Sequence, residues 1–141
     1  MADSLKAFLA ENAIKMAEVN YIASKRFVDG GKPIAWRIKP INGEENEKIL
    51  ERCRKKSFVP GTRETQVTTD NMAYGAELIC ACVVYPDLND AGLQDSYGAI
   101  GAAELVKKML TPAEYADLLL AVQEANGFET GMDKKVKRAK N

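Results

Sequence analysis

Apolar positions recur every three or four residues through most of the second half of this chain, and they alternate with polar ones in only one stretch. The first spacing belongs to helices and the second to strands. Near the start, Leu5, Phe8, Leu9 and Met16, with Asn12 completing the spacing, predict a short amphipathic helix over Ser4 to Met16, capped by Asp3 or Ser4. The alternating stretch follows. Tyr21, Ala23, Lys25 and Phe27 interleave with Ile22, Ser24, Arg26 and Val28, and then Ile34, Trp36 and Ile38 interleave with Ala35 and Arg37. Asp29, Gly30 and Gly31 lie between the two runs, where glycine supplies the positive φ of a tight turn. This predicts a β-hairpin with Trp36 as its core anchor, closed by Pro40. A lone hairpin is marginal in water, so it must lie on the helices or pair with another chain.

Helix signals dominate from there on. Asn42 with Glu45 spells a capping box, Glu44, Glu45 and Glu47 fill a first turn, and Arg52, Arg54, Lys55 and Lys56 fill a last turn that suits the helix dipole. Ile49, Leu50 and Cys53 form its narrow buried stripe. Residues 57–69, with Pro60-Gly61, read as a loop with a short extended piece near Gln66-Val67. Asp70 caps a helix expected to reach about Tyr85 and to stop at Pro86. Met72, Gly75, Ala76, Ile79, Cys82 and Val83 follow one stripe, while Ala73, Leu78, Ala81 and Val84 make its other faces apolar, which places it at the centre of a bundle. Asn89 or Asp90 starts a short helix. Gly98 and Gly101 bracket a turn, and Ala102, Leu105 and Met109 point inward from the next helix. Thr111, Pro112 and Glu114 open the last helix, Tyr115, Leu118, Leu119 and Val122 form its buried face, and Gly127 with Phe128 ends it. The expected fold is therefore mainly α (α+β), a helical domain with a β-hairpin in its N-terminal half. Residues 1–128 form a single domain, and residues 129–141 form a basic, frayed or disordered tail.

Composition narrows the chemistry. The chain of 141 residues carries 20 basic and 20 acidic side chains, so no global field favours nucleic acid or an anionic membrane. No apolar run approaches the roughly 20 residues of a membrane span, and the first residues lack the pattern of a secretory signal, which leaves the cytoplasm as the expected location. Histidine is absent, which removes the commonest general base and any triad built on it. Cys53, Cys80 and Cys82 sit in apolar surroundings with no further ligands at metal-binding spacing, and read as free thiols. Asp87 and Asp90, beside Asn89, suit a helix start and lack the spacing of a calcium loop. Neither an enzyme nor a cofactor is expected. The basic run Arg52 to Lys56 and the basic tail suggest a nucleic-acid contact as an alternative, but a solvated helix end and a solubilising tail are the favoured accounts of them.

A resemblance goes further. FLAEN (8–12), SKRF (24–27), GKPIAWRI (31–38), VVYPDLNDAGLQDSYG (83–98), ELVKKML (104–110), TPAEYADLL (111–119) and QEANGF (123–128), taken in this order and spacing, resemble the XkdN-like tail assembly chaperones of contractile-tailed phages and prophages. The resemblance implies a protein of the bacterial host cytoplasm that coats the long apolar tape measure protein, recruits tail tube subunits, and is absent from the mature virion. It implies no cofactor and no turnover. The expected partners are the tape measure and tail tube proteins and, through self-association, a further copy of the chain. The contact is expected through apolar residues left exposed on the helices, with Leu88, Leu93, Tyr97 and Phe128 as candidates.

Overall fold

A computed structural model of the chain describes residues 4–129. Its strands are β1 (Val19–Tyr21), β2 (Val28–Asp29), β3 (Lys32–Pro33), β4 (Trp36–Ile38), β5 (Arg54–Phe58), β6 (Thr65–Thr69) and β7 (Val83–Tyr85). Its α-helices are α1 (Gly43–Arg52), α2 (Asn71–Cys82), α3 (Ala91–Ser96), α4 (Ala102–Met109) and α5 (Pro112–Ala125). The strands form three small antiparallel sheets, ordered β1-β4-β7, β2-β3 and β5-β6. The expectation of a mainly α domain is thus corrected to α+β. The tail from residue 130 lies outside the described residues.

From Asn42 onward, each helix start expected from side-chain chemistry is present. The Asn42 side chain accepts from the Glu45 amide at 2.9 Å while Glu45 reaches back to the Asn42 amide. Asp70 caps α2, Asp90 caps α3, and Thr111 and Glu114 close a second capping box with Pro112 at the first position of α5. At the far end of α5, the Phe128 amide donates to the Gln123 carbonyl and the Gly127 amide to the Glu124 carbonyl. That pattern requires a left-handed residue, and Gly127 supplies it at φ 88°.

The departures from expectation all involve strands or the N-terminal arm. Around Gly30-Gly31 the hairpin forms as β2-β3, and further out as β1-β4, where Tyr21 faces Trp36. A third strand joins it: α2 stops at Cys82, three residues before Tyr85, and Val83, Val84 and Tyr85 run on as β7 beside β4. β-Branched and aromatic residues favour that exit, and so short an apolar run continues the apolar pattern of α2 in sequence. Residues 57–69 were expected as a loop, but 54–58 and 65–69 pair as a two-stranded ribbon. Arg54, Lys55 and Lys56 therefore lie on a strand and not in the last turn of α1. The amphipathic helix over 4–16 reduces to a single 3-10 turn at Lys6–Phe8, with Leu5, Phe8, Leu9 and Met16 all exposed. An apolar stripe stabilises a helix by packing, and here it meets nothing to pack on.

The core lies between the three-stranded sheet and the helices. Trp36 and Ile38 of β4, Ile49 of α1, Leu78, Ile79 and Cys82 of α2, Leu105 and Val106 of α4, and Leu118 and Val122 of α5 are its most buried members. Arg26 joins the N-terminal half to the helices, donating to the Met109 carbonyl at 2.6 Å and to the Glu114 carboxylate at 3.0 Å. At the other end of α5, Asn126 accepts from the Ile41 amide and donates to the Val122 carbonyl and the Cys82 sulfur. Leu118 sits fully buried at the centre of α5, whereas Leu119 is half-buried over Gly75. Leu118→Ala is expected to destabilise the fold by about 2–5 kcal/mol in a denaturant titration. A loss below about 1 kcal/mol would contradict this packing.

Candidate partner-binding groove

Five separate segments build one apolar groove beside the three-stranded sheet. Phe27 and Ile34 come from the two sides of the β2-β3 turn, Trp36 from β4, Tyr85 and Pro86 from the end of β7, Leu93 from α3 and Met109 from the end of α4. The groove encloses about 160 Å³. Phe27 packs tilted against Trp36 with ring centroids 6.2 Å apart, and the Ile34 amide donates to the Phe27 carbonyl at 2.8 Å, so this wall is braced along its length. Arg26 lies over the Phe27 ring at 5.3 Å while its guanidinium holds Met109 and Glu114, so a single side chain links opposite walls. On the outer side, Arg37 lies over the Tyr85 ring at 5.0 Å.

The Arg26 anchor has a defined electrostatic state. The buried Ser24 hydroxyl, the Thr111 amide and the Arg26 guanidinium all favour the ionised Glu114 and hold its carboxyl down at about 2, well below the ordinary carboxylate range. The groove itself contains no group suited to acid–base work. Its lining carries no carboxylate, amine, guanidinium or thiol. The thiols lie elsewhere and stay protonated. Burial, reinforced by Glu77, pushes Cys80 up to about 11, and burial raises Cys53 and Cys82 as well. Among the described residues, no group of three or more Cys, Asp or Glu side chains could hold a metal ion, and no helix is long and apolar enough to cross a membrane.

Of the four residues singled out from sequence, Leu93 lines this groove. Leu88, expected at the surface, is only 2% exposed and belongs to the core, because the turn before α3 folds it inward. Tyr97 is half-buried against the core. Phe128 is 45% exposed and lines a different groove of about 170 Å³, together with Ile41, Leu78 and three asparagines. Those asparagines are already committed to the fold: Asn42 caps α1, Asn46 accepts from the Tyr74 hydroxyl at 2.6 Å, and Asn126 clamps the end of α5. The apolar groove is the better docking surface, since a partner there displaces water without breaking a polar contact. Phe27, Ile34, Tyr85 and Met109 had no sequence signal as a group, because only the tertiary fold brings them together. Arg52, part of the basic run considered for nucleic acid, is engaged by Glu77 at 2.9 Å.

Comparison with known proteins places this architecture. A family model described as phage XkdN-like tail assembly chaperone protein matches residues 5–140. The phage-like element PBSX protein XkdN of Bacillus subtilis is 29% identical over 139 residues, which cover 97% of this chain and 93% of that protein. YqbN of the same organism is 27% identical over the same shares. The crystal structure of YqbN superposes with a TM-score of 0.75 at 26% identity, covering 89% of this chain and 98% of that one.

A carboxyl held low in the folded state contributes stability above its unfolded pKa, and loses that contribution as pH falls through the folded one. The Glu114 contribution is therefore expected to be complete above about pH 4.5 and to vanish as pH approaches about 2. Denaturant midpoints of the wild type and Glu114→Gln should differ at pH 6 and converge across that window. A difference unchanged down to the acid end would show that the charge on Glu114 is not what anchors Arg26.

Proposed function

This chain belongs to the phage XkdN-like tail assembly chaperone family, and on that footing we propose that it binds the tape measure protein through the groove of Phe27, Ile34, Trp36, Tyr85, Leu93 and Met109. The groove takes an apolar stripe of a long helical polypeptide, of the kind that aggregates in water unless it is covered. The chaperone masks that stripe in the host cytoplasm, holds it for tail tube subunits, and is released before the virion is complete. No bond is made or broken in this cycle.

The apolar character of the groove supports this reading most directly. Its walls come from both halves of the fold, so an occupant is held by a braced surface. An aromatic cluster with a polar rim is the composition from which interface hot spots are drawn, and Arg37 and Arg26 supply that rim here. The nucleic-acid alternative has weaker support, since Arg52 is paired with Glu77 and the lining of the groove is uncharged.

Co-expression with fragments of the tape measure protein tests the proposal. The wild type is expected to keep a fragment soluble and to co-purify with it. Tyr85→Glu, on an exposed edge position of β7, is expected to weaken the complex by about 2 kcal/mol or more while leaving the thermal transition of the free chaperone close to that of the wild type. Fragments that stay insoluble with the wild type, or a complex indifferent to Tyr85→Glu, would reject the groove as the binding surface.

A further inference from the structure

The cations that follow Arg52 do not form the solvated helix end expected of them. α1 stops at Arg52, and Arg54, Lys55 and Lys56 enter β5. Arg52 is held by Glu77, but among the described residues no ion pair engages Arg54, Lys55, Lys56 or Arg63. Residues 54–69 contain four basic side chains and one acidic one, whereas residues 70–129 contain ten acidic and two basic. A chain of balanced total charge therefore concentrates positive potential on one element.

That element is a braced platform. β5 and β6 pair without a break from Arg54 and Thr69 to Phe58 and Thr65. At the base the Asp70 amide donates to the Cys53 carbonyl at 2.8 Å, and at the tip the Val59 amide donates to the Glu64 carbonyl at 2.9 Å. The register sets Arg54, Lys56 and Phe58 on one face, beside Thr69, Val67 and Thr65. Neighbours on one face of a strand stand about 7 Å apart, so cation, cation and aromatic ring follow one another at even steps. Phe58 is 70% exposed, and Val67, diagonally across from it, is 58% exposed. We propose that this ribbon binds single-stranded nucleic acid, with Arg54 and Lys56 on successive phosphates and a base stacked on Phe58 against Val67. Lys55, on the opposite face, and Arg63, in the turn, add to the attracting field. Phe58 and Val67 are the only apolar residues of β5 and β6, too few for the dry centre of a protein interface. A single exposed ring is enough for a base, because every base has a flat face to stack. This is a second activity on a surface separate from the apolar groove, and it stands whatever the groove holds.

Fluorescence anisotropy of the purified full chain tests it, with a labelled oligothymidylate and a duplex of equal length as probes. The wild type is expected to bind the single strand more tightly than the duplex, with an affinity that falls as salt rises. Arg54→Gln/Lys56→Gln is expected to weaken binding at low salt by about tenfold or more and to lower the salt slope by about 1.4, since about 0.7 belongs to each phosphate neutralised. Phe58→Ala is expected to weaken binding by about fivefold or more with the slope unchanged, and Phe58→Trp to keep the wild-type affinity. Circular dichroism separates loss of contact from loss of fold, and the affinity kept by Phe58→Trp does so again. A wild type that binds no oligonucleotide at low salt would overturn the inference. So would an affinity and slope unmoved by the glutamine pair, which would assign the binding to the basic tail. Equal affinity for the duplex with no effect of Phe58→Ala would reduce the contact to charge alone and reject the stacking site. Binding of polyglutamate as tight as that of the oligonucleotide would reject nucleic acid in favour of an acidic polypeptide.

Discussion

A helix that is apolar around most of its girth has no side to turn towards water, and α2 is such a helix. Gly75, Ala76, Leu78, Ile79 and Cys82 are buried, and only the positions nearest its start and a few along one edge reach solvent. Every neighbouring element can be understood as cover for it. α1, α4 and α5 pack on its sides, and the three-stranded sheet closes its end. α2 runs without a loop into β7, and the Lys39 amide donates to the Cys82 carbonyl at that junction. Helices and sheet are thus two parts of one core, organised around the segment 71–85.

The parts of this fold legible in the sequence were those fixed by local stereochemistry. Asn42, Asp70, Asp90 and Thr111 accept amides three residues ahead, and Gly127 takes a backbone conformation that other residues resist, so each leaves its mark within a few positions. The hairpin around Gly30-Gly31 was legible for the same reason. The ribbon at 54–69 was not, because neither of its faces is buried and an alternating pattern arises only when one face is. Val83 to Tyr85 was misassigned because a three-residue apolar run directly after an apolar helix is too short for periodicity to separate strand from helix. The stripe at 5–16 showed the opposite failure: a helical spacing is present, and the packing that stabilises one is missing.

The groove was less legible than the fold. Its lining spans residues 27 to 109, and the only member named from sequence as a partner contact, Leu93, had been picked as an exposed helical leucine. Leu88, five residues earlier and equally apolar, went to the core because the chain turns between them. Periodicity says that a side chain will be covered. Which covering it receives, its own core or another molecule, depends on segments far away in the sequence.

Arg26 and Ile41 reach partners 88 and 85 residues further along the chain. During translation at roughly 5–20 residues per second, those partners emerge about 4–18 seconds after the residues they hold. The N-terminal third, with Phe27 and Trp36, is thus made first and fastened last. Throughout that interval it leaves the ribosome as an apolar hairpin without the contacts that fasten it to the helices.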